Sequence, residues 1–145
     1  MPKSGAIILI LFVFLYSSNT IILALEADDI LGQWINEDHD GRIKIYRCGK
    51  AYCGEIVWTR NGPAVDVNNP NPDLRNRPII GLTIMNGFRY AGDSEWEGGE
   101  LYDPKSGYTY KGKMKLAAPN TLELRGYVLI PLFGRTTSWA RFEPK

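Results

Sequence analysis

The sequence predicts an all-β fold, a small antiparallel up-and-down barrel of about eight strands. Three observations carry that expectation. Apolar and polar residues alternate along one short segment after another. Turn-forming residues separate most of these segments, and beyond a possible turn over 27–31 no stretch repeats its apolar residues at helical spacing.

The clearest strand is 108–116, YTYKGKMKL. Tyr108, Tyr110, Met114 and Leu116 fall on one face, while Thr109, Lys111, Lys113 and Lys115 fall on the other. After the turn at Ala117-Ala118-Pro119-Asn120, segment 121–128 alternates again, with Leu122, Leu124 and Val128 inward and Glu123 and Arg125 outward. Further strands are expected over 32–36, 42–47, 52–58, 79–85, 96–102 and 136–142. Their turns are read at residues 37–41, at Asn86-Gly87 and at residues 103–107. A meander of this size hides its edges best by closing on itself, with a two-sheet sandwich as the alternative.

One connection breaks the rhythm. Residues 59–78, TRNGPAVDVNNPNPDLRNRP, hold four prolines and five asparagines. A connection this long without regular structure is uncommon in a compact domain and is often functional.

The N-terminus reads as an address. Lys3 precedes an apolar run over 6–16, a polar break at 17–20 and a second apolar patch. Residues 1–27 are read as a signal peptide, with an uncleaved anchor as the alternative. Residues 28–145 then form a single exported domain, periplasmic or extracellular, that does not span a membrane. The chain of 145 residues carries a net charge of +1 and no basic arm, so nucleic acid is not expected as a partner.

Export places the two cysteines in an oxidising compartment. With Ile43 and Ile45 inward, Cys48 points outward; with Tyr52, Ile56 and Trp58 inward, Cys53 does too. The expected register sets Cys48 opposite Cys53, Ile45 opposite Ile56 and Ile43 opposite Trp58. A Cys48–Cys53 staple is favoured over a reducible redox pair, and would pin the hairpin against a slip of one residue.

Chemistry is sparse. His39 is the only histidine, in an acidic turn, which removes most histidine-based triads and zinc sites. Asp66, Asn68, Asn69, Asn71 and Asp73 are oxygen ligands of the kind calcium takes, but Asx-turns explain them equally well. No catalytic residue, metal site or cofactor is expected, and an enzyme is the weakest reading.

The chain ends suggest kinship. The first strand contains Gly32-Gln33-Trp34 and the last Trp139-Ala140-Arg141. This pairing resembles lipocalins and related calycins, where such a tryptophan closes one barrel end beneath an arginine of the last strand. That likeness implies that Trp34 and Arg141 pack together. GQW, CGKAYCGEIVW, DVNNPNPDLRNRPIIGL, WEGGELYDPKSGYTYKGKM, LELRGYV and FGRTTSWARF, in that order, resemble the bacterial family called domain of unknown function 2147. The resemblance covers nearly all of the chain after the leader. It implies a small exported protein with a lipocalin-like barrel, and no established activity, cofactor or catalytic residue.

Two functional readings follow. The first is a non-catalytic binding module for a small apolar or amphipathic molecule. Its candidate lining residues are Trp58, Tyr108, Tyr110 and Trp139, with Tyr46 if the hairpin parity were reversed. Arg75 and Arg77 of the long loop are the candidates for an anionic head, at a barrel mouth beside that loop. The second is an envelope structural or protein-interaction module with a filled barrel.

Overall fold

The computed structural model describes residues 26–145. The expected leader lies almost wholly outside them. A short 3-10 turn, η1 (Ala27–Ile30), leads into eight strands: β1 (Gly32–Ile35), β2 (Gly41–Cys48), β3 (Ala51–Thr59), β4 (Thr83–Gly92), β5 (Glu95–Asp103), β6 (Tyr108–Ala118), β7 (Thr121–Tyr127) and β8 (Gly134–Phe142). A second 3-10 turn, η2 (Pro72–Leu74), lies in the long connection. The strands pair in chain order and β8 returns to β1, forming a closed antiparallel barrel.

An up-and-down order puts alternate connections at opposite ends. The chain entry, the Gly49-Lys50 turn, the Asp93-Ser94 turn and the Pro119-Asn120 turn lie at one end, called here the closed end. The β1–β2, β3–β4, β5–β6 and β7–β8 connections lie at the other, the open end.

The core occupies the barrel interior. Trp34, Ile43, Ile45, Ile56, Met85, Phe88, Trp96, Met114, Leu116 and Leu122 are all buried. Glycines make room for the largest of them. A Cβ on Gly99 would fall 2.3 Å from the Phe88 ring, one on Gly112 2.4 Å from it, and one on Gly54 2.8 Å from the Met85 sulfur. The barrel wall is thinned where Phe88 and Met85 occupy its interior.

Four sequence expectations need correction. Asn86-Gly87 is not a turn but lies inside β4, where Gly87 adopts φ +74°. The hairpin turns instead at Asp93-Ser94, because Phe88 and Tyr90 still belong to the inner face. Ile79 and Leu82, expected on a strand, are buried in the core from the end of the long connection. Val128 is not an inward strand residue. β7 ends at Tyr127, which pairs with Gly134, and Val128 stands exposed in the hairpin tip.

The fourth correction concerns the cysteine hairpin. Cys48 faces Ala51 and Cys53 faces Tyr46, so Ile43 meets Ile56 rather than Trp58. Gly49, at φ +67°, permits a two-residue turn where a four-residue loop was expected. The inside–outside parity survives as far as Ile56. Val57 is then an extra residue on β3, a bulge that sets Trp58 opposite Arg42 on the outer face.

Candidate functional site

The closed end is built around Trp34. Its indole N–H donates to the Ile30 carbonyl at 2.9 Å. Arg141, opposite Trp34 across the β1–β8 seam, lays its guanidinium 4.3 Å from the indole centroid. Its N–H groups donate to the carbonyls of Leu31 (2.9 Å), Asp29 (2.5 Å) and Pro119 (3.0 Å). One side chain therefore joins η1, β1, β8 and the β6–β7 turn. Beside it Asp28 accepts from Tyr52 Oη at 2.7 Å and from Arg47 Nε at 2.8 Å. These two bonds hold its carboxyl below the ordinary carboxylate range.

Cys48 and Cys53 are bonded to each other, with Cα atoms 5.8 Å apart. They sit diagonally on the outer face of the β2–β3 hairpin. Tyr46 shares that face, its hydroxyl 3.3 Å from Thr83 Oγ1. The bond fits an oxidising, exported setting. No helix among the described residues is long and apolar enough to cross a membrane.

The long loop is organised by a buried carboxylate. Asp66 is fully buried and accepts from Tyr102 Oη (2.7 Å), Asn69 Nδ2 (2.9 Å) and Arg77 (3.0 Å). Burial pushes its pKa up, but the three donors outweigh that and hold it below the ordinary value. The Tyr102 hydroxyl is pushed up by burial and by the neighbouring Asp66 charge. Arg75 donates to the Asn69 carbonyl at 2.8 Å, Asn71 caps the Asp73 N–H, and Asn68 donates to the carbonyls of Pro104 and Lys105. The oxygen-rich side chains thus shape the loop itself.

Tyr102 pairs with Thr109, and Asn86 with Glu100, all on the outer wall. The loop packs there and leaves a hollow of about 270 Å³ lined by Arg77, Asn86, Glu100, Tyr102 and Thr109. Arg75 and Arg77 are therefore engaged with loop and β5 groups on the outside of the barrel. Trp58 is also outside, with the Arg42 guanidinium 5.0 Å from its ring. The expected meeting of Trp58, Arg75 and Arg77 at a common mouth is not formed.

The other candidates do converge on the inner face. Tyr110 pairs with Leu101, Tyr108 with Asp103, and Trp139 with the buried Leu122. Tyr108 and Tyr110 meet edge to face, with centroids 6.4 Å apart. Trp139 donates to Thr137 Oγ1 at 2.9 Å and packs against the core. All three rings keep exposed surface, unlike Trp34 and Trp96. The reason is local: β1 has four residues and pairs with β8 only through Ala140, Arg141 and Phe142, so Gly134 to Trp139 extend past it.

Sequence reasoning missed the segment beside these residues. Val128, Leu129, Ile130, Leu132 and Phe133 form the β7–β8 tip, and each is exposed. The signal was present as the run YVLIPLF, of which only Val128 was assigned, to an inward strand position.

A closed eight-stranded meander with a GxW tryptophan under a terminal arginine defines a lipocalin-like barrel. The chain belongs to the family described as uncharacterised proteins conserved in bacteria (DUF2147), whose profile matches residues 32–141. Protein HP1028 from Helicobacter pylori, described as belonging to the lipocalin family, is similar in structure with a TM-score of 0.71. The match covers 78% of this chain and 82% of that one at 20% identity, a likeness of fold alone. No curated protein sequence matches.

Proposed function

We propose that this protein is an exported, non-catalytic binding module for a small amphipathic molecule, held at the open end of the barrel. The observation that supports this reading is a contrast within one interior. The closed half is filled by Trp34, Phe88 and Trp96, whereas inward-facing Tyr108, Tyr110 and Trp139 keep accessible surface. Rigid aromatic walls suit an apolar body, and the tyrosine hydroxyls suit a polar head. The site differs from the sequence expectation in its wall: β6 and β8 supply its aromatic rings, and the long loop does not.

A filled-barrel interaction module is the second reading, favoured by Gly54, Gly99 and Gly112 admitting Met85 and Phe88 into the lumen. Titration with the amphipathic probe 1-anilinonaphthalene-8-sulfonate separates the two. The binding reading expects saturable binding that Tyr110→Ala weakens by at least about tenfold, near 1.4 kcal/mol. Absent binding, or equal binding by the variant, rejects it. Native mass spectrometry of the protein isolated from its own cells then identifies any retained molecule.

A further inference from the structure

The large apolar side chains that stand exposed among the described residues are segregated. Val67, Leu74 and Ile80 lie in the β3–β4 connection, Tyr108 opens β6, and the remaining five form the β7–β8 tip. All nine belong to the open end.

The β7–β8 tip differs from its neighbours. The other three open-end connections are tied together by polar groups: Lys105 Nζ lies 3.1 Å from Asp40, and Asn68 donates to Pro104 and Lys105. The tip is held by its own hairpin. Arg125 donates to the carbonyls of Pro131 (2.7 Å) and Leu132 (3.4 Å), and Val128 and Phe133 share a backbone hydrogen bond. Its shape is thus fixed while its side chains face outward. Leu129 and Leu132 are each 77% exposed.

Leu129 adds an independent sign. It adopts φ +65°, a conformation that suits glycine or asparagine and costs a leucine about 1 kcal/mol or more. Burial within the folded chain does not repay that cost. A further partner for the side chain would.

Charge indicates which partner. Between Glu123 and Glu143 the chain has no acidic residue, and Arg125 and Arg135 flank the tip. Lys111, exposed and paired with Tyr127 at the base, faces Glu100 on its other side. Acidic residues of this end, among them Glu37, Asp38, Asp40 and Glu100, lie in other connections or strands, and an apolar point flanked by Arg125 and Arg135 matches the layered chemistry of an anionic bilayer surface.

We propose that the β7–β8 hairpin docks this protein on anionic lipid membranes, with Leu129, Leu132 and Phe133 entering the acyl boundary and Arg135 meeting the headgroups. The proposal stands apart from ligand binding at the mouth. The test is co-sedimentation of the protein, isolated as its cells make it, with phosphatidylglycerol/phosphatidylcholine vesicles. The comparison is with Leu132→Asp/Phe133→Asp and with Arg135→Glu, which share everything outside the tip. Both changes fall on exposed side chains, and circular dichroism checks the fold. The double variant is expected to lose at least about tenfold in vesicle affinity, and Arg135→Glu to lose its preference for anionic over neutral vesicles. Tyr110→Ala is expected to bind vesicles normally, which separates this result from failure of the mouth site. Failure of the native protein to bind, or equal binding by the double variant, overturns the proposal. So does a native dimer that the double variant renders monomeric while neither binds vesicles, because the tip then serves self-association.

Discussion

The two ends of the barrel solve opposite problems with the same eight strands. At the closed end, Arg141 covers Trp34 and satisfies three backbone carbonyls that belong to three different segments. At the open end, three connections are knit by polar side chains and the fourth carries five exposed apolar ones. The contrast arises from strand length: β6 has eleven residues and β1 has four. The long hairpins outrun the short one, and the surplus forms the arm. Stability concentrates where the strands end together, and contact capacity where they do not.

The largest expected effect tests whether the interior is filled by Phe88. Phe88→Ala removes a fully buried ring that Gly99 and Gly112 are shaped to admit, so its neighbours cannot collapse easily onto the space. A loss of about 3–5 kcal/mol is expected in urea unfolding. A loss below about 1 kcal/mol would mean that Phe88 is not the filler of the closed half.

Next comes the β3–β4 connection, the longest of those knit by polar side chains. Asp66→Ala leaves Tyr102, Asn69 and Arg77 without their shared acceptor and should cost about 2–4 kcal/mol at neutral pH. The pH dependence has a definite sign. The folded carboxyl lies below its unfolded value of about 3.9, so its contribution is complete above that value. It is lost as pH falls through the lower folded value. Acid unfolding followed by circular dichroism should therefore show a flatter profile below about pH 4 in the variant than in the native chain. Parallel profiles would remove Asp66 from the acid response.

At the closed end itself, Arg141→Ala should lower stability by about 1–2 kcal/mol through lost cation–π contact, stem packing and carbonyl capping. Arg141→Lys should recover only part of this, since a single ammonium cannot serve three carbonyls and an indole face at once. Full recovery in thermal unfolding would show that charge alone matters there.

Much of this closed end was legible in the sequence. Period-two alternation identified the strands around 108–116 and 121–124, and the likeness of Gly32-Gln33-Trp34 and Arg141 to calycins implied the packing at the seam. Parity alone put Cys48 and Cys53 on one face. What parity could not show was where it changes. The extra Val57 turns Trp58 outward, and Gly87 carries β4 through a dipeptide that looks like a turn. A bulge costs one residue and leaves no compositional mark, so only the pairing partner shows it. The open end was less legible for a related reason. The apolar run Val128-Leu129-Ile130-Pro131-Leu132-Phe133 reads like a buried segment, and burial depends on whether a neighbouring strand is long enough to cover it. The four-residue length of β1 decided that.

The smallest effect on stability is also the sharpest division between the two ends. Leu129→Asn replaces a branched side chain at φ +65° with one that tolerates this conformation. The folded chain should therefore be unchanged or slightly more stable, by no more than about 1 kcal/mol. Membrane attachment should move the other way. Loss of one partly inserted leucine should weaken phosphatidylglycerol-vesicle affinity by roughly three- to tenfold, because its full burial is worth about 1.5–3 kcal/mol and insertion at a surface realises part of it. Thermal unfolding and vesicle co-sedimentation on one preparation measure both. A purely structural leucine would lose stability when replaced and leave sedimentation alone. A leucine kept for an external surface gives stability and binding changes of opposite sign, and the native chain tolerates the strained position because the membrane, not the barrel, receives the side chain.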